Sequence, residues 1–326
     1  HVIHLNHGSF GACAKPIFDD YQKWQLEFER NTVNFFALQA PKLLQWSREE
    51  LGKFIGCHPD DVVYTMNPSY AMNIIAKSFP LQKDDEILAT DLEYGAMDRT
   101  WNYYCQKVGA KYVRQRISLP VSPKEQITEE FFSGLTKQTK AIFISHITSS
   151  TGLILPVAEI CSRAKELGLI TIVDGAHVPG HIPLDLSDLN ADIYTGACHK
   201  WMLTPKGSSF LYVKRELQHL FDPLVISWGF EAAKPSHSRF IDYHQLQGTR
   251  DIAAFLTIPK AIQFRKEFKW ETISSERRKT SISYSAKVAE ACNGTVMAPL
   301  SEKFLGQMTS IQISCTKPEE LQNILY

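Results

Sequence analysis

The sequence predicts an α/β protein: a mostly parallel sheet sandwiched by helices, with a smaller α+β domain beside it. Three observations predict it. Between about Asp61 and Val213, short β-rich runs alternate with helical patterns, the order that yields parallel strands covered on both faces. Helix boundaries carry start and stop chemistry, as where Pro156 precedes and Gly168 follows the helical pattern Val157–Leu167. Two neighbouring strand ends then carry an acid, Asp174, and a lysine, Lys200, and the carboxyl ends of strands are where open α/β sheets bind ligands.

Taken in order, Asp61–Met66, Glu86–Thr90, Lys111–Arg116, Ala141–His146, Ile170–Asp174, Asp192–Thr195 and Ser208–Val213 read as strands. Tyr70–Ser78, Ala96–Val108 and Val157–Leu167 read as the helices between them. From about Ile252 the pattern changes to a long helical stretch over Lys269–Ala291, one strand-like run over Met308–Ser314, and a last helix over Pro318–Tyr326. The expected division is a large domain over 15–264 and a small domain from 1–14 and 265–326, whose C-terminal part is missing from this stretch of sequence.

Composition narrows the function classes. Hydrophobic residues make up 44% and charged residues 21%, the balance of a globular enzyme rather than a disordered or membrane chain. With 35 basic and 35 acidic residues the formal net charge is +0, so no nucleic-acid or membrane partner is expected. Seven cysteines without a CxxC pair read as reduced, mostly buried thiols, and with no signal-peptide pattern at the start a cytoplasmic location is expected. Glu276–Lys279 reads as a solvated helix face.

The chemistry is concentrated in Ile170–Lys200. Pyridoxal phosphate needs such a pair: a lysine for its aldehyde and an acid for its ring nitrogen. Asn67-Pro68-Ser69 places a serine at a helix start, where free N–H groups bind anions. Tyr94, after the second strand, offers an aromatic face to a planar ring. Ser145–Gly152 is a hydroxyl-rich turn, and His199 beside Lys200 is placed to meet a phosphate. A zinc site from His177, His181 and His199 is disfavoured, because Pro179-Gly180 breaks the helix that His177 and His181 would need. No GxGxxG or Walker-type loop is present, which argues against dinucleotides and nucleoside triphosphates.

The motifs run in the order of a known family. Leu5–Gly11 (LNHGSFG), Asn67-Pro68-Ser69, Glu93–Ala96 (EYGA), Ser145–Gly152, Asp174–His177 (DGAH), His199-Lys200-Trp201 with Pro205-Lys206-Gly207, Ser227-Trp228-Gly229 and Gln247–Asp251 (QGTRD) carry the likeness. The chain resembles fold-type-I pyridoxal-phosphate enzymes of the class V aminotransferase superfamily, in the isopenicillin N epimerase-like branch.

The resemblance implies that Lys200 forms the Schiff base and Asp174 pairs with the ring nitrogen. It places Tyr94 against the ring, His177 and Ser149 near the ring hydroxyl, and Ser69 and His199 at the phosphate. Pro68 stands where the family has a small residue, which the first position of a helix tolerates. Thr249 is expected to reach the phosphate of a neighbouring protomer, so that a homodimer shares its active sites. The substrate implied is an amino acid or amino-acid-containing peptide, epimerised by removal and return of its α-proton. A cysteine desulfurase-like C–S lyase is the alternative, with an aminotransferase or an inactive protein of the same fold behind it. The family's carboxylate-binding arginine and the desulfurase loop cysteine would both lie past Tyr326, leaving Cys315 for the small-domain core.

Overall fold

The computed structural model describes His4 and residues 6–121 and 123–325. Seven strands form the main sheet: β1 (Val62–Thr65), β2 (Glu86–Thr90), β3 (Lys111–Gln115), β4 (Thr139–Ser145), β5 (Ile170–Asp174), β6 (Ile193–Ala197) and β7 (Ser209–Val213). Their spatial order is β1-β7-β6-β5-β4-β2-β3. The five strands from β6 to β3 run parallel, while β7 is antiparallel to both β6 and β1. The expected strands are found to within two residues at each end.

Burial explains the strand sequences. β1, β2, β6 and β7 are buried throughout, as continuous apolar or small runs covered on both faces should be. β3 is one of the two edge strands, and its Lys111 and Arg114 are exposed, the charged finish that discourages edge-to-edge pairing. Two apolar clusters lie on opposite faces of the sheet. One gathers Leu88, Ile142, Ile144 and Val173 with Leu51 and Ile55; the other gathers Ile87, Phe143 and Ile172 with Met72, Ile75 and Trp101. Alternation along β4 and β5 sends neighbouring residues to opposite clusters.

The helix Pro68–Ser78 begins two residues earlier than the reading Tyr70–Ser78 implied. Asn67 is the cap, its side chain accepting the Tyr70 N–H at 2.8 Å, and Pro68 takes the first helical position, where its missing N–H costs nothing. Ser69 is therefore not a cap, and its hydroxyl is not committed to the helix.

Past the sheet, Trp270–Ala291 is a single helix of 22 residues, as expected. The strand-like run Met308–Ser314 shrinks to β9 (Ile311–Gln312), paired antiparallel with a short strand that the sequence reading missed, β8 (Thr295–Val296). Two-residue strands carry too little alternation to be read by period. The last helix is Pro318–Leu325; Tyr326, like Leu5, lies outside the described residues.

Two smaller expectations are corrected. Cys315 is exposed rather than part of a core, and Cys292 is exposed too, while Cys105, Cys161 and Cys198 are buried. Arg278 is not a solvated side chain: its guanidinium folds back onto the carbonyls of Leu305 and Glu302, holding the segment after the long helix.

Candidate active site

β5 and β6 are adjacent and parallel, and their carboxyl ends deliver Asp174 and, through the turn Cys198–Lys200, Lys200. Asp174 is 3% exposed, with Oδ1 accepting the Ala176 N–H at 2.9 Å. Burial raises its pKa above the usual carboxylate value, against the pull of that N–H and of Lys200. Lys200 is driven the other way: burial lowers its pKa, with Asp174 opposing. Its Nζ lies 3.0 Å from Nε2 of His177. Burial first, then Lys200 and His181, keep His177 well below its ordinary value, so the imidazole is neutral. A lysine ammonium donating to Nε2 leaves the ring proton on Nδ1, and Nδ1 is buried with no partner.

These three residues line one cavity of about 690 Å³. Pro68 and Ser69 line it from the helix start, Tyr94 and Ser149 from the turns after β2 and β4, and His199 from beside Lys200. His199 donates from Nδ1 to the Ser208 carbonyl at 2.8 Å, which leaves Nε2 as its other polar atom. Tyr94 is about half exposed and is the residue just ahead of the helix Gly95–Val108. Eight of the nine expected site residues are thus brought together within one chain. The ninth, Thr249, is not: it is exposed and lines a separate cavity with Gln25, Phe28 and Arg250.

His181, the remaining histidine of the disfavoured zinc set, is held otherwise. Its ring stacks on Trp201 at 4.0 Å, Nδ1 donates to the His177 carbonyl at 2.8 Å, and Nε2 accepts the Gln307 N–H at 2.6 Å. Both ring nitrogens are committed, which ties the segment after the long helix to the turn that carries His177.

The sequence reading missed other members of the cavity wall. Lys206 lines it and donates to the Gly11 carbonyl at 2.7 Å, and Gly8, Ser9 and Phe10 close it from the N-terminal side. Gly11 adopts φ +70, and a side chain there would strike the His199 carbonyl, so the motif's glycine serves a close approach over the site. Ser145 and Asn67 also face the cavity, and Glu93, within a quoted motif, supplies a buried carboxyl behind it. The signal for Lys206 was its presence in a shared motif; nothing in spacing alone marks it.

The residues present suit pyridoxal phosphate. They offer a buried amine with a lowered pKa, a buried acid on the neighbouring strand, an orphaned polar atom on His177, and a capped helix start where the Ser69 N–H is left free.

The aminotransferase class-V family model matches residues 15–326. The isopenicillin N epimerase of Streptomyces clavuligerus is 32% identical over 323 residues, covering 96% of this chain and 81% of that protein. The chain belongs to the class-V aminotransferase family. Membership makes it a pyridoxal-phosphate-dependent enzyme, as the motifs implied. An L-cysteine desulfhydrase of Arabidopsis thaliana is 26% identical, over 93% of this chain and 72% of its own length. Among solved structures, the apo cysteine desulfurase from Thermococcus onnurineus NA1 superposes with a TM-score of 0.82 at 21% identity, over 99% of this chain and 82% of that one. That likeness establishes the fold.

Proposed function

We propose that this enzyme removes and returns the α-proton of an amino acid or amino-acid-containing peptide, in the manner of an isopenicillin N epimerase. The observation that carries the reading is the 3.0 Å contact between Lys200 Nζ and a neutral His177 inside the cavity. Two basic nitrogens sharing a proton, neither held strongly in its charged form, can take up a proton and give it back. In this reading Lys200 holds the cofactor aldehyde, Asp174 faces the ring nitrogen, and His177 and Ser149 serve the ring oxygen. Tyr94 lies against the ring, while Pro68, Ser69 and His199 surround the phosphate. When bound, pyridoxal phosphate delocalises the electron pair left at the α-carbon. The chain's own contribution is to hold that ring against Asp174, exclude water by burial, and keep a proton within reach on Lys200 or His177.

The relatives named as desulfhydrase and desulfurase support a second reading, cleavage of a C–S bond, which needs the same proton removal first. The same proposal has Thr249 acting across a homodimer and the small domain beginning near residue 265. The seven free cysteines fit a reducing compartment such as the cytoplasm, and among the described residues no helix is long and apolar enough to cross a membrane.

Incubation with a panel of L-amino acids and short peptides containing them, in deuterated water, separates the readings. α-Deuteration accompanied by the D-enantiomer supports epimerisation. Release of sulfide from L-cysteine without D-enantiomers of the others supports the lyase. A panel that shows neither exchange nor sulfide refutes both.

A further inference from the structure

Glu93 is a buried carboxyl that the chemistry above leaves unused. It follows β2, is 7% exposed, and has both oxygens engaged: Thr90 Oγ1 donates to Oε1 at 2.6 Å, and Ser145 Oγ donates to Oε2 at 2.5 Å. Ser145 ends β4, sits directly opposite Asp174 of β5 in the sheet register, and lines the cavity. Adjacent strand ends therefore carry a carboxyl, a hydroxyl and a second carboxyl in a row.

The hydroxyl in the middle has a single proton to place. While Glu93 is ionised it can only accept, so Ser145 directs its proton to Oε2 and shows lone pairs to the cavity. A protonated Glu93 has a donor of its own. Thr90 Oγ1 already accepts the Leu92 N–H at 3.2 Å and points its own proton at Oε1, which favours Oε2 as the protonated oxygen. That oxygen then donates to Ser145, whose proton is free to turn outward.

The groups facing Glu93 do not hold it ionised. Asp174 repels its charge from β5. Tyr112 faces it from β3 and donates to Asp98 at 2.9 Å, which lies 3.5 Å from Arg114. Burial, reinforced by Asp174, outweighs the two hydroxyl donors and the Ser145 N–H and pushes the Glu93 pKa up to about 7.

We propose that Glu93 is a positioning residue for the reaction centre, a proton-switched carboxyl that turns the Ser145 hydroxyl between donating inward to Glu93 and donating outward beside Asp174. The proposal rests on the cavity being the cofactor's site.

Infrared difference spectra against pH, taken before and after loading with pyridoxal phosphate, read the buried carboxyl directly. Its protonated band should fade as pH rises through about 7 and be missing from Glu93→Gln. The visible spectrum of the loaded wild type should shift over the same interval. In Ser145→Ala the carboxyl should still titrate while the visible spectrum no longer follows, and this variant decides the matter if Glu93→Gln does not fold. A wild-type carboxyl band that stays constant across neutrality overturns the proposal, as does a spectral shift that survives both substitutions. Failure to take up pyridoxal phosphate is a distinct result: it refutes the cavity reading on which the switch depends.

Discussion

Glu93→Gln also has a consequence for stability whose sign and size follow from the structure. In the unfolded chain the carboxyl titrates near its ordinary value of 4.5, and in the folded protein near 7. Between those values the folded state holds the proton and the unfolded state has lost it. Stability therefore falls as pH rises through that window: Glu93's contribution is fully present below the lower value and gone above the upper one. The gap of about 2.5 pH units, at about 1.36 kcal/mol each, comes to about 3 kcal/mol. Glutamine keeps the shape and a polar partner for each hydroxyl but does not titrate. The variant should consequently gain on the wild type by about 3 kcal/mol between about pH 4 and about pH 8. Comparing the two by urea denaturation at several pH values cancels the groups they share. If the difference between them stays flat to within about 1 kcal/mol, Glu93 is ionised in the folded protein throughout, and the reasoning from burial is wrong.

Three further predictions concern the site. Gly175→Ala would set a Cβ onto the ring carbon and oxygen of Tyr194, which is fully buried and bonded to His146 Nδ1 at 3.1 Å, so it should cost about 1–3 kcal/mol by denaturation; an unchanged midpoint would show that the turn can move. Borohydride reduction of the loaded protein and peptide mapping should place the label on Lys200, and a label on Lys206, the other cavity lysine, would displace Lys200 from its role. Mixing Lys200→Ala with Thr249→Ala protein should restore activity on subunit exchange, because a shared-site dimer then carries both defects at one site and none at the other; exchange without recovery contradicts the composite site.

The sheet was legible because burial on both faces forces long apolar runs, and those runs survive in the sequence as β2, β5 and β7. Asp174 and Lys200 were legible for a related reason: a charged residue directly after a buried run stands at the sheet's ligand-binding end. The small domain was not. β8 and β9 have two residues each, and their pairing joins Thr295 to Gln312, a contact no local pattern encodes. Asn67 was passed over as the cap because both Asn67 and Ser69 are good capping residues, and only the backbone decides between them. Glu93 was hidden differently. An acid in a turn three residues past its strand reads as a solvated surface residue until the fold brings Thr90 and Ser145 onto its two oxygens.

Burial acts in one direction on the cavity and on the groups packed behind it, and this bears on how a ligand must lie there. It raises Asp174 and Glu93, lowers Lys200, and keeps His146, His177 and His181 neutral, with His146 and His181 near 4. Each acid is thus a better proton holder and each base a poorer one than in water, which narrows the free-energy gap between protonation states across the site. A ligand with a cationic nitrogen relieves the buried Asp174 carboxylate only if that nitrogen points at it. A ligand's phosphate cannot share that end without repulsion, and the helix start supplies the Ser69 N–H and the positive end of the helix dipole elsewhere on the wall. In the reading proposed above, electrostatics alone would turn the ring nitrogen of pyridoxal phosphate towards Asp174 and its phosphate towards the helix start, before any covalent bond to Lys200 is considered.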